Sequence, residues 1–167
     1  MIKIFNSLFV TMFGLGKINF APGTFGSMGT VIILFYLFHV FNASSIIILI
    51  GLIIIFLYSF YAVSSYIKYN EDKDPGEIVI DEFLGQSIPI YLYEISHGTT
   101  KESEEAIIYY IVFFFLFRYF DIMKPFPVNF FDKNFKNSFG VIMDDICAGL
   151  YVVLTMVCFM IIKSYVL

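Results

Sequence analysis

The chain alternates long apolar runs with short polar stretches, a pattern typical of helices that cross a membrane. The strongest run is SSIIILIGLIIIFLYSFYAV, residues 44–63, which is long enough to span a bilayer, since spanning takes about 20 residues. No charged residue occurs between Lys17 and Lys68. The same pattern predicts further apolar helices at residues 28–41, 106–120 and 141–162.

Other apolar segments are less regular. Residues 83–95 contain Gln86 and Pro89, which predicts a short, kinked or half-inserted segment and leaves open whether it crosses the membrane. Residues 2–15 are similar to a signal peptide but lack a small-x-small cleavage site, so we expect a retained short helix, interfacial or packed. Residues 18–30 are rich in Gly and Pro and are predicted to form a turn.

Composition supports a membrane location. Hydrophobic residues make up 59% of the chain and charged residues 14%, whereas soluble domains average about 45–50% and about 25%. A soluble protein with several fully buried helices is the alternative, because hydropathy alone does not distinguish such helices from spans. The net charge of −4 gives no basic surface for nucleic acid, so no nucleic-acid partner is expected. We predict an all-α, integral membrane helical protein: one domain, residues 1–167, with about four to five apolar helices.

The positive charges predict an orientation. With five spans, one side carries Lys3, Lys17, Lys68, Lys73, Arg118, Lys124, Lys133 and Lys136, and the other carries Lys101 and Lys163. The positive-inside rule then places the first set and the N-terminus in the cytoplasm. The polar blocks at 17–27, 71–82 and 118–145 are therefore predicted to meet at the cytoplasmic face of the cell inner membrane.

The first block is APGTFGS, residues 21–27. The glycines Gly23 and Gly26 would let backbone N–H groups gather in a concave turn, and Thr24 or Ser27 could cap the following helix. Such a helix start is suited to binding phosphate, and Lys17 could add a positive charge. A capped turn without ligand is the alternative, and the absence of a Walker pattern means that ATP is not indicated.

The second block, DPGEIVIDEFLG, places Asp81 and Glu82 between apolar residues directly before a membrane segment. On a helix these side chains project about 100° apart. One could bind a metal while the other orients water, although a solvated acidic face is the alternative.

The third block spaces Arg118, Asp121 and Lys124 three residues apart, along one helical stripe. A salt-bridge ladder at the membrane interface is one interpretation. A metal or phosphate site with two cations for an anionic substrate is the other, and we favour it. We expect Asp132 to be an ordinary loop charge.

The fourth block, GVIMDDICAG, brings Asp144 and Asp145 to the start of an apolar helix. Adjacent aspartates there repel each other unless a cation binds or one is protonated. On a helix, Asp145 shares a face with Gly149, which would let another backbone or a ligand approach.

Taken together, the blocks supply several carboxylates and no neighbouring His or Cys, a donor set that suits Mg²⁺ or Mn²⁺ and not zinc. Two isolated histidines cannot form a paired-histidine phosphatase site, and no Cys is followed six residues later by Arg. Carboxylates at the edge of a membrane helix indicate chemistry on a lipid headgroup.

The four blocks resemble, in order and spacing, the signatures of the phosphatidylglycerophosphatase A family, over about Lys17 to Tyr151. This resemblance implies a magnesium-dependent enzyme that removes the terminal phosphate of phosphatidylglycerophosphate, an anionic phospholipid, giving phosphatidylglycerol. It implies an acidic catalytic centre and a phosphate-binding group. The acids are Asp81, Glu82, Asp121, Asp144 and Asp145, and the phosphate-side residues are Gly23, Thr24, Ser27, Arg118 and Lys124.

The hypothesis that follows assigns Mg²⁺ to Asp81, Asp121, Asp144 and Asp145 in some combination, and assigns Glu82 to positioning or deprotonating water. Arg118, Lys124 and the turn at residues 23–27 would hold the phosphate, with Lys17 nearby. Another lipid phosphatase or a phosphotransferase using the same acids is the main alternative. A non-enzymatic cation-binding membrane protein is a further one. The oligomeric state is left open.

Overall fold

A computed structural model describes residues 2–68, 76–97 and 103–166 of the chain. Within these ranges every regular element is helical and no strand occurs, which confirms the all-α prediction. The α-helices are α1 Ile2–Val10, α2 Pro22–Phe35, α3 Ser45–Lys68, α4 Ile80–His97, α5 Ser103–Met123, α6 Val128–Asn134 and α7 Ser138–Val166. A short 3-10 helix, Leu15–Lys17, precedes α2, and a π-helical segment, Tyr36–Val40, continues it.

Among the residues that the structure describes, four helices are long and apolar enough to cross a membrane, so the chain is a membrane protein. They are Pro22–Val40, Ser45–Lys68, Glu104–Met123 and Ser138–Tyr165. These agree with the apolar runs read from the sequence.

The long helices alternate in direction. The first turns of α2, α4 and α7 and the last turn of α5 line one cavity, and we call this end of the bundle the site end. At the opposite or far end, Glu94 of α4 accepts a hydrogen bond from Tyr110 of α5 at 3.0 Å and lies 3.1 Å from Nε2 of His39, which follows α2. The chain therefore passes between the two ends with each of α2, α3, α4, α5 and α7.

The irregular third segment is the central helix. α4 contacts α2, α3, α5 and α7, and it continues through Pro89. Its length of 18 residues corresponds to about 27 Å, enough to reach both ends of the bundle. Most of its side chains are buried by the surrounding helices, which explains why it can carry polar residues that a lipid-facing helix would not.

α4 and α7 form the tightest pair in the described part of the chain. A Cβ on Gly149 would overlap the carbonyl oxygen of Gly85, and a Cβ on Gly85 would overlap the carbonyl oxygen of Asp145. The expectation that Gly149 allows close approach of another backbone is confirmed.

Two predicted boundaries are wrong. The stretch predicted as a turn over residues 18–30 is helical from Pro22, because proline at the first helical position loses no hydrogen bond and has a fixed helical φ. The first helix ends at Val10 and not at residue 15, since Met12, Phe13 and Gly14 all have positive φ. Asp74, Pro75 and the lysines Lys73 and Lys101 used for the orientation lie outside the described residues.

Candidate active site

The site end contains a polar cavity of about 230 Å³. Its walls come from three helix starts, one helix end and the segment before α4. They are Ala21, Pro22, Gly23, Gly76, Ile78, Asp81, Glu82, Arg118, Asp121, Lys124, Val141, Asp144 and Asp145. The cavity therefore gathers residues from all four polar blocks of the sequence, as predicted.

A cluster of three carboxylates lies at this cavity. Asp81 and Glu82 come from the first turn of α4, and Asp145 comes from the second turn of α7; one oxygen of each lies within 4.8 Å of the others. Asp81 is 8% exposed and Asp145 is 3% exposed. The close approach of α4 and α7 at Gly85 brings Asp145 to the two α4 acids, although more than 60 residues separate them in sequence.

The electrostatics of the cluster favour a bound cation. Burial disfavours the charged forms of Asp81 and Asp145, and the three carboxylates repel one another when they are charged. Among the described residues, none of the three cluster carboxylates forms an ion pair, and Oε2 of Glu82 is buried without a hydrogen-bond partner. Three converging carboxylates that have no ion-pair partner fit a hard divalent cation.

The remaining two acids of the predicted centre are paired with cations. Asp121 lies 2.8 Å from Nη1 of Arg118, and Asp144 accepts a hydrogen bond from Nζ of Lys124 at 2.7 Å. An ion pair therefore forms along α5, as the first interpretation of the third block predicted, and both cations line the same cavity as the acid cluster.

Lys124 is held from a second side by Asp132, which accepts a hydrogen bond at 3.0 Å. Partial burial lowers the pKa of Lys124, but the hydrogen bonds and charges of Asp144 and Asp132 outweigh it, so the pKa lies above its ordinary value. Lys124 therefore stays charged. The sequence interpretation missed Asp132, which lies on α6 and not in a loop. Pro125 and Pro127 were the available signal, because they imply a chain reversal that returns the following residues toward Lys124.

The start of α2 forms the wall opposite the acids. Ala21 has a left-handed backbone with φ of 47°, Pro22 has no N–H, and the N–H of Gly23 takes no backbone acceptor among the described residues. This free donor, at the positive end of a helix dipole, is a phosphate-type donor. A Cβ on Gly23 would overlap Oε1 of Glu82 and lie 3.1 Å from Nη1 of Arg118, so glycine makes room for both side chains.

Other residues of the first block have separate positions. Ser27 is fully buried, donates to the carbonyl of Gly23 at 2.9 Å and accepts from Nη1 of Arg118 at 3.5 Å. Ser27 therefore orients the guanidinium of Arg118. Thr24 and Lys17 do not line the cavity, and Lys17 is exposed on the short 3-10 helix.

Known proteins are similar to this chain over most of its length. The chain is 34% identical over 142 residues to phosphatidylglycerophosphatase A of Haemophilus influenzae, covering 85% of this chain and 80% of the relative. It is 28% identical over 138 residues to the Escherichia coli K12 protein of that name, covering 82% and 73%. A Bacteroides thetaiotaomicron protein provisionally named phosphatidylinositol-3-phosphatase is 32% identical over 142 residues, covering 84% of each chain. No solved structure matches the chain.

The family profile described as phosphatidylglycerophosphatase A matches residues 8–160. This range includes all four polar blocks, the acid cluster and both cations of the cavity. The chain thus belongs to the phosphatidylglycerophosphatase A family of phosphatases.

Proposed function

We propose that this protein hydrolyses the terminal phosphate of phosphatidylglycerophosphate, in a magnesium-dependent reaction, to give phosphatidylglycerol and phosphate. The observation that carries the proposal is the arrangement of one cavity, in which three carboxylates converge beside the cations of Arg118 and Lys124. Asp81 and Asp145 are buried, and Glu82 is half-buried. Acids alone would repel a phosphate, whereas acids that bind a cation beside two fixed positive charges can receive it.

Asp81, Glu82 and Asp145 would hold the metal, since their oxygens already converge. Asp121 and Asp144, the other predicted ligands, are engaged with Arg118 and Lys124 and lie at the border of the cluster. When bound, Mg²⁺ would supply charge neutralisation at the phosphoryl oxygens and would lower the pKa of a coordinated water.

Arg118, Lys124 and the N–H of Gly23 would bind the phosphate. Asp121 and Ser27 hold the side chain of Arg118, and Asp144 and Asp132 hold that of Lys124. Neither side chain therefore needs to lose conformational freedom when the substrate binds. Such preorganised charges stabilise the negative charge that spreads over the phosphoryl oxygens in the transition state.

Glu82 would position the attacking water and accept its proton. Its carboxylate lies against Gly23, beside the proposed phosphate position, and its Oε2 has no hydrogen-bond partner among the described residues. One carboxylate oxygen would therefore accept the proton while the other would bind the metal. A single general base gives only about 10²–10⁴-fold acceleration, while phosphate monoester hydrolysis can require up to about 10²¹-fold. Most of the rate must therefore come from charge stabilisation by the metal and the cations.

The site would face the cytoplasm at the cell inner membrane. At the site end lie Lys68, Arg118, Lys124, Lys133 and Lys136, whereas Lys163 lies near the far end of α7. This distribution follows the positive-inside rule with the site end in the cytoplasm. The clustering of the acids at one end does not favour a cation pathway, which would need acids along the bundle.

The test is phosphate release from phosphatidylglycerophosphate by the purified protein in detergent, with Mg²⁺ and with EDTA. We expect magnesium-dependent release that falls at least about 100-fold in Asp145→Asn. Glu104→Gln, an exposed acid at the start of α5, is the matched control and should keep full activity. Absence of release with any divalent metal from folded protein would refute the proposed reaction. Equal release in EDTA would refute the metal centre.

The Bacteroides relative makes a second lipid a specific alternative substrate. Phosphatidylinositol 3-phosphate also carries a phosphate monoester, but on an inositol ring, which is bulkier than glycerol. The two lipids should be compared in the same assay. A higher kcat/KM for the inositol lipid would identify it as the preferred substrate, with the same catalytic groups.

A further inference from the structure

An apolar groove runs along the outside of the bundle between α3 and α4, and Ile146 of α7 also lines it. Its volume is about 310 Å³. The argument concerns six of its residues: Ile53 and Phe56 of α3, Leu84, Ile88 and Leu92 of α4, and Ile146. We call this feature the α3/α4 groove.

The groove begins close to the acid cluster. Asp81, Leu84, Ile88 and Leu92 are spaced three to four residues apart and therefore form one stripe along α4. The groove begins at Leu84, one helical turn from Asp81, and Ile146 directly follows Asp145 of the cluster. A molecule lying in the groove would thus have one end close to the acids.

The groove is also open to the side. Ile53 is 48% exposed and Leu92 is 38% exposed, although both lie on helices within the membrane part of the bundle. Ile53 belongs to the candidate span Ser45–Lys68, so this opening faces hydrocarbon. From Leu84 to Leu92 the groove extends about 12 Å along α4.

We propose that the α3/α4 groove binds the part of an acyl chain nearest the headgroup, belonging to the lipid whose phosphate occupies the active site. This inference rests on the proposed function. A molecule that reaches from the groove to the acid cluster has to be apolar along α4 and polar at the end near Asp81, and a lipid phosphate has this chemistry. A larger cavity of about 470 Å³ between α4, α5 and α7 begins at Pro89, about two turns from Asp81, whereas the groove begins about one turn from it.

The test fills the groove without touching the catalytic residues. Ile53→Trp adds bulk inside it, and Ile54→Trp is the matched control, because Ile54 is 61% exposed on the same helix and does not line the groove. Each variant is assayed on dioleoyl and on dibutanoyl phosphatidylglycerophosphate. Melting temperature in detergent checks the fold, and Leu92→Trp is a second variant if Ile53→Trp does not fold.

We expect Ile53→Trp to raise KM for the dioleoyl lipid about tenfold, as displacement of about two methylenes would, at about 0.8 kcal/mol each. KM for the dibutanoyl lipid should change less than about twofold, because its chains are too short to fill the groove. Ile54→Trp should leave both values unchanged. Equal effects of Ile53→Trp on the long and short lipids, or no effect on either, would overturn the groove assignment.

A binding measurement separates this inference from the proposed reaction. Wild-type protein is labelled in detergent with a phosphatidic acid that carries a photoreactive group on its acyl chain, and the labelled peptides are mapped. Labels on α3 and α4 around residues 53–56 and 84–92 would support the groove even if phosphatidylglycerophosphate is not hydrolysed. Labels confined to the cavity between α5 and α7 would overturn it, as would a crosslink between two copies of the chain at the groove.

Discussion

The carbonyl oxygen of Gly85 lies against the α-carbon of Gly149, so that α4 and α7 meet backbone to backbone beside the acid cluster. Pro89 contributes to this arrangement, because it has no N–H to donate to the carbonyl four residues earlier, which is that of Gly85. The free carbonyl is thus directed at a glycine that has no side chain to exclude it. The proline and the two glycines together set the distance between Asp145 and the acids of α4.

Gly149→Ala is therefore expected to separate the two helices. The added Cβ meets backbone and not a flexible side chain, so overpacking should lower the free energy of unfolding by about 1–3 kcal/mol. Displacement of Asp145 by about 1 Å should lower the phosphatase rate about 100-fold. Thermal unfolding and phosphate release measure the two effects. Gly51→Ala on α3 is the control, since nothing lies within 4 Å of its Cβ position, and it should be slightly more stable and fully active.

Gly23→Ala tests the opposite wall of the cavity. Here the Cβ meets the end of the Glu82 side chain, which can move at little cost in stability. We expect the free energy of unfolding to change by less than about 0.5 kcal/mol, while the rate falls about 100-fold because Glu82 leaves its position in the cluster. An unchanged rate in a folded Gly23→Ala protein would mean that the position of Glu82 is not required for catalysis.

The sequence singles out the acids that line the cavity because each lies at a junction between an apolar run and a polar stretch. Asp81, Glu82, Asp144 and Asp145 are conspicuous for this reason alone. The sequence does not predict which acids converge, because this depends on the packing of α4 against α7. Asp145 joins Asp81 and Glu82, whereas its neighbour Asp144 points about 100° away on the helix and pairs with Lys124.

The fold, like the site, is predicted only in part from the sequence. Hydropathy identifies the four apolar spans, but it underrates α4, whose polar residues are buried by protein. Asp132 was missed because its contact with Lys124 depends on the reversal of the chain after α5. A local pattern cannot determine the geometry of such a reversal.

Asp145→Asn should alter stability in opposite directions with and without metal. In EDTA the variant should melt at a higher temperature than the wild type, because one of the three mutually repelling carboxylates of the cluster is neutralised. Saturation of the wild type with Mg²⁺ at about 100 times its Kd should add about 2.7 kcal/mol, or roughly 5–10 °C. The variant should gain much less. Equal gains in both proteins would place the binding of Mg²⁺ elsewhere, and Glu104→Gln should behave as the wild type.

Asp132→Asn should weaken substrate binding while catalysis is retained. Lys124 keeps its hydrogen bond to Asp144 but loses its second anchor, and both members of the lost pair are partly exposed. We expect KM to rise about fivefold, equivalent to about 1 kcal/mol, with kcat within about twofold. Lys136→Gln is the control, because its contact with Asp132 is long and at the surface. A loss of kcat in Asp132→Asn would instead assign Asp132 a role in the chemical step.

Tyr110→Phe tests whether the far end of the bundle is independent of the site. The Tyr110 hydroxyl donates to Glu94 at 3.0 Å, and the residue is only 1% exposed, while Glu94 keeps its contact with His39. Loss of this hydrogen bond should lower the free energy of unfolding by about 1 kcal/mol and the melting temperature by about 2–4 °C. Because the catalytic groups lie at the other end of the helices, kcat and KM should not change. Tyr165→Phe, which removes an exposed hydroxyl near the end of α7, should change neither stability nor rate. If activity falls in Tyr110→Phe without a loss of stability, the polar contacts of Glu94 help to set the geometry of the acid cluster, and the two ends of the bundle are coupled through α4.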